Sequence, residues 1–378
     1  MNSKCLAESN KLSGKFDKFV EKEIYPYAEQ NDRTEILSPE VIKAFAQNGY
    51  LGSMIPKEYN GMGLNYYGIG LLNESVGKVC SSSRGLLTVH GMVALAILKW
   101  GNDEQKQKWL PKLASGEVIG AFGLTEPSAG SDSNSIETEA VKQGDIYVLS
   151  GTKKWTTMGQ IADLFLIFAK VEGKATAFLV EKDTPGFSVA PINGLIGARA
   201  SMIAELHLDQ CVVSEENIIG TIGFGLSHVA LSSLDYGRYT IAWGCIGAAE
   251  TCLNLSIKYA KKRKQFGSAL RKNQMIQKMV AKMTVEIEAA KLLCTKAGIL
   301  KDEGDPDYII QIWMAKYYGS KTLTKVAGDS VQIHGANGCI NKNPVERIYR
   351  DAKINEIVEG SSEIHEILIS NNAFLTYC

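Results

Sequence analysis

The chain has 378 residues, 45% of them hydrophobic and 22% charged, and its 41 basic side chains equal its 41 acidic ones. That length exceeds what one small core needs and suggests two or three folding units. The balanced charge offers no electrostatic pull toward nucleic acid or an anionic membrane.

Up to about residue 118 the pattern is helical. The polar start MNSKCLAESNK lacks the apolar stretch of a secretory signal, so a cytoplasmic protein is expected. Phe16, Phe19, Val20 and Ile24 recur at three- and four-residue spacing, which marks one face of a helix. Ser38-Pro39-Glu40 reads as a helix start and Asn48-Gly49 as a stop. The longest apolar stretch, Leu86–Trp100, carries His90 and Lys99 and reads as a buried helix. No run of 18 or more residues is purely apolar, so no membrane span is expected. Gly101-Asn102-Asp103 opens another helix, with Asp103 and Glu104 at its positive end.

From about 119 to 225 short β-branched and aromatic runs alternate with turn residues: IGAFGLTE, IYVLSGTKKWTT, LFLIFAKV, ATAFLVE, FSVAPI and AELHLDQCVV. This spacing predicts an antiparallel sandwich or barrel. From about 226 onward, segments near Asp235–Lys262, Lys272–Asp302 and Pro306–Val331 are rich in Ala, Leu, Lys and Met. They predict a bundle of long helices. The expected architecture is an α+β multidomain chain: an all-α unit at 1–118, a β unit at 119–225 and an α-helical bundle at 226–378.

Eight cysteines, at 5, 80, 211, 245, 252, 294, 339 and 378, form no CxxC pair and no zinc spacing. Reduced packing thiols and no metal centre are expected. No GxGxxG, GxxxxGK[ST], HExxH or GxSxG is present, so a Rossmann site, a P-loop, zinc hydrolysis and a serine elbow all lack support.

Three segments stand out. FGLTEPSAGSD, Phe122–Asp132, leaves a strand into a loop rich in Ser, Gly and Pro. Its N–H groups and hydroxyls suit a polar ring or a pyrophosphate, or it is a plain surface loop. In KKWTTMG, Lys153–Gly159, Trp155 could stack on a flat ring or simply pack in a core. The stretch from Gln332 to Ser370 is dense in Gly, Asn and charge. Within it Glu359 lies between the apolar Ile357-Val358 and Gly360. A carboxylate at such a junction is either partly desolvated, which raises its pKa toward that of a useful base, or an ordinary solvated side chain.

Together these segments resemble the acyl-CoA dehydrogenase superfamily. FGLTEPSAGSD is similar to its first motif, QIHGANG through RDAK to EGSSEI to its second, KKWTTMG to its flavin-stacking strand, and KKRKQFG at Lys261–Gly267 to its helix-end pyrophosphate site. They occur in the family's order, so the resemblance covers almost the whole chain. It implies an N-terminal all-α domain, a middle antiparallel β-barrel or sandwich and a C-terminal four-helix bundle. FAD would bind between these domains and across a dimer contact. The resemblance implies that Phe122, Leu124, Thr125, Trp155 and Thr157 meet the flavin ring, with Gly130 and Ser131 near the ring and the substrate arm. Arg263, Phe266, Gln274, Gln332, Gly335 and Ala336 would reach the FAD of a neighbouring subunit. Ser361 and Glu363 fall at cofactor-touching positions, where Ser361 replaces a usual threonine and Glu363, if ionised, accepts but does not donate. Glu359 falls on the catalytic base, which takes a proton while C3 of the thioester gives hydride to flavin N5. Asp235 and Arg238 match positions near the thioester and its carrier arm; the alternative for Arg238 is a helix-start ion pair with Asp235.

The segments LLTVHGMVALAILKWG, GARASMIAEL, GRYTIAWGCIGAAE and QIHGANGC are similar to a smaller branch that acts on acyl-carrier-protein thioesters and makes polyketide and peptide extender units. This implies oxidation of a carrier-tethered three-carbon hydroxy- or aminoacyl group toward a malonyl-type unit. Ser131 or His90 could face such a polar substrate, or His90 is a satisfied helix histidine. The rival readings are a short-chain acyl-CoA α,β-dehydrogenase and a flavin-binding protein without activity. The family expectation for partners is an electron-transfer flavoprotein and a homodimer or homotetramer.

Overall fold

The computed structural model of the protein describes residues 3–376, and side chains from residue 11 to 376. Helix α1 (Ser3–Phe19) runs on through a wider π-type turn at Val20–Ile24, and Phe16, Phe19, Val20 and Ile24 are all buried. Helices α2 (Ala28–Thr34) and α3 (Pro39–Gln47) follow. Ser38 occupies the cap position of α3, but its hydroxyl donates to Asn31 Oδ1 at 2.6 Å and does not cap the helix.

Helices α4 (Tyr66–Gly77), α5 (Ser81–Trp100) and α6 (Asp103–Ser115) complete the N-terminal unit. By length and composition α5 could cross a membrane, yet 83% of its most apolar window is buried inside the fold. It is a core helix, and it starts earlier than its apolar run, on Cys80, whose sulfur accepts from Ser83 N at 3.4 Å. Helix α6 opens on a capping box in which Asn102 and Gln105 exchange side-chain to backbone bonds of 2.8 and 2.9 Å. The Gln105 amide also donates to the carbonyls of Glu216 and Ile218, at 2.7 and 2.8 Å, and so ties the helix to the sheet.

The strands are β1 (Gly120–Gly123), β2 (Glu139–Gln143), β3 (Ile146–Thr156), β4 (Leu164–Val171), β5 (Lys174–Glu181), β6 (Phe187–Pro191), β7 (Ala204–Ser214) and β8 (Ile218–Ile219). They form one eight-stranded sheet in the order β6-β7-β3-β2-β4-β5-β8, with β1 beside β4. The purely antiparallel expectation is corrected here, because β1 runs parallel to β4 in the register Gly120↔Leu164. Between these two strands the chain makes the β2–β3 hairpin, a long connection of the kind parallel neighbours need.

After a π-type turn at Gly225–Ala230 come the long helices α7 (Leu231–Lys262), α8 (Gln274–Glu303) and α9 (Tyr308–His334), then α10 (Pro344–Ile357) and α11 (Ser362–Thr376). A short hairpin, β9 (Lys264–Gln265) and β10 (Ser268–Ala269), links α7 to α8. Helix α7 packs against α4, α5, α8 and α9 and is the common wall of the two helical units. Cys80, Cys211, Cys245, Cys252 and Cys294 are free and buried and Cys339 is free and exposed, while Cys5 and Cys378 fall outside the described side chains.

One buried ion pair fixes the loop that leaves β1. Lys153 and Glu126 have side chains 0% and 3% exposed and meet at 2.6 Å. Glu126 also accepts from the Glu137 and Thr138 N–H groups and the Thr138 hydroxyl, at 2.5, 3.0 and 2.6 Å. Lys153 further donates to Leu124 O at 3.3 Å. Burial pushes Lys153 down to about 8, and these bonds together hold Glu126 below the ordinary carboxylate range against its own desolvation. Removing one partner leaves an uncompensated charge. Lys153→Met is therefore expected to destabilise the fold by about 3–5 kcal/mol, and adding Glu126→Gln to recover much of that loss. Denaturation midpoints followed by tryptophan fluorescence test both, and an additive double variant would contradict the pairing.

Candidate active site

Glu359 lies just beyond α10, where Val358 N still bonds to Ile354 O at 3.1 Å. Its φ of +57° is left-handed, a conformation that costs a non-glycine residue energy and needs outside support. Two cations supply it. Arg238 Nε on α7 donates to Glu359 O at 3.1 Å, and Lys316 Nζ on α9 donates to Gly360 O at 2.6 Å and Glu356 O at 3.2 Å. Arg238 is itself held by Asp235 Oδ1 at 2.9 Å, which also accepts from Trp313 Nε1 at 3.1 Å.

The Glu359 carboxyl lies against the backbone of α7. A Cβ on Gly237 would come within 2.5 Å of Oε2, so any larger residue there would displace the carboxyl. The residue as a whole is partly exposed, yet Oε2 is sealed from solvent and has no hydrogen-bond partner. Desolvation pushes its pKa up to about 7, against the pull of the Arg238, Lys316 and Arg84 charges.

Glu359 borders a cavity of about 60 Å³ with Arg84, Thr88, Thr157, Ala198, Ser201 and Ile241 among its walls. That is room for about four to six waters, or for a short acyl group. The loop between β6 and β7 covers one side. It is pinned where Ala198 N donates to Asp351 Oδ1 at 2.6 Å, and Asp351 is pushed up to about 6 by burial.

Arg84 is the polar wall opposite. It is 5% exposed and makes no ion pair among the described residues. Its guanidinium donates to Thr88 Oγ1 at 2.9 Å and Asn355 Oδ1 at 3.2 Å. Its stem runs across Gly244, where a Cβ would fall 2.0 Å from Cδ. Burial lowers its pKa, but guanidinium remains a cation at any ordinary pH.

The predicted flavin-ring residues lie at the ends of β1 and β3 and just beyond them. Phe122 ends in β1, Leu124 O is held by Lys153, and Thr125 O accepts from Lys154 N at 2.8 Å, next to Trp155. Trp155 has φ +63° and is 52% exposed, so the alternative of a packed core tryptophan is set aside. Thr156 Oγ1 is buried without a partner and Thr157 borders the Glu359 cavity. An open aromatic face at Trp155 thus lies two residues from Thr157, which shares a cavity with the desolvated carboxyl, and such a face suits a flat ring.

Gly130 and Ser131 are exposed on the loop after Glu126. Ser361 is partly buried, and its carbonyl accepts from the backbone N–H of His365, at 3.2 Å. Glu363 is exposed, held below its ordinary pKa by its own N–H and the Ser361 hydroxyl, and so acts as an acceptor. Arg263, Phe266, Gln274, Gln332, Gly335 and Ala336 are all exposed and border no part of the Glu359 cavity in the same chain. Arg263 lines a separate cleft of about 500 Å³ with Lys258, Tyr259, Lys262 and His334.

Asp235 and Arg238 are 4% and 5% exposed and form the ion pair that was the alternative reading. His90 is fully buried, with Nε2 on Leu113 O at 3.0 Å and Nδ1 receiving Gly120 N at 3.2 Å. It is pushed down to about 4 by burial and serves as a satisfied core histidine, which removes it from the substrate-facing candidates. Sequence reasoning missed Arg84, Lys316 and Gly237. An arginine after three serines reads as surface, and nothing local tells that α7 and α10 close over it.

Sequence profiles of the acyl-CoA dehydrogenase N-terminal, middle and C-terminal domains match residues 7–117, 121–211 and 225–374. The short-chain-specific acyl-CoA dehydrogenase of Clostridium acetobutylicum is 41% identical over 94% of this chain and 95% of its own length. Among solved structures, the prolyl acyl carrier protein oxidase AnaB is 32% identical with a TM-score of 0.94, covering 100% of both chains. FkbI, described as acting in biosynthesis of a methoxymalonyl extender unit of a polyketide, is 30% identical with a TM-score of 0.88, covering 96% of this chain and 99% of its own.

Gly237→Ala tests the seat of the carboxyl. Alanine is the better helix former, so the fold should hold. The added methyl should push Oε2 aside and slow thioester-driven flavin reduction by about tenfold or more, since small misplacements of a reacting group are costly. Stopped-flow absorbance with circular dichroism measures both, and full-speed reduction would show that the carboxyl does not work from this seat.

Proposed function

The chain belongs to the acyl-CoA dehydrogenase family, an oxidoreductase acting on acyl thioesters with FAD, and from that premise we propose that it oxidises a small, polar three-carbon acyl group carried by an acyl carrier protein, with Glu359 as base. The observation that carries this reading is the cavity itself: a desolvated carboxyl and an acid-free guanidinium, Glu359 and Arg84, border one small space. Arg84 has Thr88 and Asn355 as neutral partners but no acid, and a hydroxyl, aldehyde hydrate or carboxylate on the acyl group would give it a further acceptor that an aliphatic chain does not. The likeness to AnaB and FkbI supports the carrier-bound form.

FAD, when bound, supplies the hydride acceptor. Phe122, Leu124, Thr125, Trp155 and Thr157 would hold its ring, with Gly130, Ser131, Ser361 and Glu363 at the ring's margins. In a C3 alcohol, the C3–H bond breaks as hydride, the hydroxyl proton passes to Glu359, and a C=O bond forms. In the hydrate of the resulting aldehyde, the same two departures leave a carboxylic acid. Each step removes two electrons and two hydrogens. Arg84 and Thr88 are placed to hold the oxygen substituents and favour the growing negative charge. Asp235 and Arg238 act by fixing the base's backbone.

The short-chain acyl-CoA dehydrogenase reading rests on the 41% identity to the clostridial enzyme. It uses the same base to take an α-proton while C3 loses hydride and a C=C bond forms.

We also read the chain as a homo-oligomer that passes electrons to an electron-transfer flavoprotein. Arg263, Phe266, Gln274, Gln332, Gly335 and Ala336 lie away from the chain's own Glu359 cavity and are free to meet the cofactor of a second copy. Phe266, Val285 and Leu292 are 103%, 68% and 69% exposed, and apolar side chains so open favour burial in a contact. Domain limits at 118/119 and 225/226 are part of this reading, supported by β1 starting at Gly120 and the helical turn at Gly225.

Anaerobic flavin absorbance, titrated with butanoyl-CoA and then with carrier-bound three-carbon hydroxyacyl and semialdehyde thioesters, tests the proposal. Bleaching by the carrier-bound substrates, abolished in Glu359→Gln and slowed about a hundredfold in Arg84→Met, is expected. The base works ionised, so kcat/KM should fall as pH drops through about 7, the value to which burial raises Glu359. Bleaching by butanoyl-CoA alone, indifferent to Arg84→Met, would assign the short-chain reading instead.

A further inference from the structure

Lys316 is a lysine that the sequence gives no reason to notice and that the reaction above does not consume. It is 0% exposed in the middle of α9, and no carboxylate lies within ion-pair distance of it among the described residues. Lysines are almost never buried so completely without a partner acid. Its ammonium instead spends two N–H bonds on main-chain carbonyls, Glu356 O at 3.2 Å and Gly360 O at 2.6 Å. One of these lies three residues before Glu359 and the other one residue after it. Arg238 Nε takes the carbonyl of Glu359 itself, at 3.1 Å. Three carbonyls around a left-handed residue are thereby held by cations from two different helices.

We propose that Lys316 is a positioning residue for the base: it locks the turn that carries Glu359 and sets the ionisation of that carboxyl. The inference rests on the reading of Glu359 as the base.

The surroundings of Lys316 leave its charge free to act on that carboxyl, beside Arg238 and Arg84. On α7, Cys245 is pushed up to about 11 by burial and stays a neutral thiol. Arg238, also on α7, is paired with Asp235 but still pulls on Glu359, as does Arg84 on α5. On α10, the Glu356 carboxyl is engaged by Lys353 at 3.0 Å. On α11, His365 is pushed down to about 4 by burial and by the Lys316 charge, so it is neutral in the working range. Glu359 is the acid left without a direct partner. Burial lowers Lys316 itself to about 8, with Cys245 and Glu359 pulling it up and Arg238 pulling it down. At about pH 7, where Glu359 is half ionised, the lysine is thus still mostly a cation.

Lys316→Met removes the bonds and the charge, whereas Lys316→Gln keeps a donor of N–H bonds and removes the charge alone. Both are compared with Lys316→Arg, which keeps both, in the FAD-loaded enzyme. The substrate is butanoyl-CoA if it bleaches the wild-type flavin, and otherwise the carrier-bound three-carbon thioester. Without the cation the acid limb of kcat/KM should move up by about one pH unit in both neutral variants. In Lys316→Met, kcat should also fall by about tenfold or more with KM within about threefold, because the turn is loosened. Lys316→Arg should restore the acid limb. A role in folding alone would lower FAD loading and leave the acid limb where it was. An unmoved acid limb in either neutral variant, or failure of both to load FAD, would overturn the proposal. Glu359→Gln separates this from the parent reading: if that variant still reduces flavin, the base has been misassigned, whereas an inactive Glu359→Gln beside an unshifted Lys316→Gln removes only Lys316.

Discussion

The site depends on keeping one carboxyl out of water. Glu359 sits on a left-handed turn, its Oε2 pressed against the helix backbone at Gly237 and shut off from solvent. Ionising a group there costs more than in water, which is why its pKa rises to about 7. In the proposed role of base, a carboxyl in solution would be too weak, and one with no nearby cations would stay protonated. The cations that temper the desolvation, Arg238, Lys316 and Arg84, come from α7, α9 and α5, so the proton affinity of this carboxyl is a property of the whole helical assembly.

Support for the turn reaches outward through hydrogen bonds. Asp235 and Trp313 hold Arg238. The helix that leads into Glu359 is braced on its other side: Arg350 bonds to Asp32 of α2 at 2.7 Å and to Ile196 O at 3.2 Å, and Asp351 binds Ala198 N. Helix α10 is thus fastened to the N-terminal helices and to the loop between β6 and β7 at once. The far wall is fastened separately, by the buried Lys153–Glu126 pair that joins β3 to the loop leaving β1. Buried pairs of this kind add little net stability but define one geometry sharply, because any other leaves a charge unmet.

Arg84 gives the cavity its chemical character. Thr88, Thr240 and Asn355 form a hydrogen-bonded chain behind it, with Thr88 and Thr240 hydroxyls 2.9 Å apart. Under the proposed function, this polar network is the wall that would favour a short acyl group with oxygen on C3 over a long hydrocarbon tail. Either proposed dehydrogenation would use the same carboxyl, so on that reading this wall, and not Glu359, would select the acyl group.

Much of the architecture was legible in the chain. The three-part order of helix, strand and helix followed from a change in apolar period, and the strands fell where β-branched runs met turn residues. Glu359 stood out because an apolar pair and a glycine flank it, and the motifs around Phe122, Trp155 and Gln332 supplied the family. These are local signals, set by neighbours in sequence. The parallel pairing of β1 with β4 was not legible, since pairing depends on where a distant strand is delivered. Nor were Arg84, Lys316 and Gly237, whose roles arise from Glu359, which lies 275, 43 and 122 positions away along the chain. Sequence determined which groups could do the chemistry. Only the packing of α5, α7, α9 and α10 decided which charges face the carboxyl without water between them, because burial and distance, not composition, set the strength of a charge's influence.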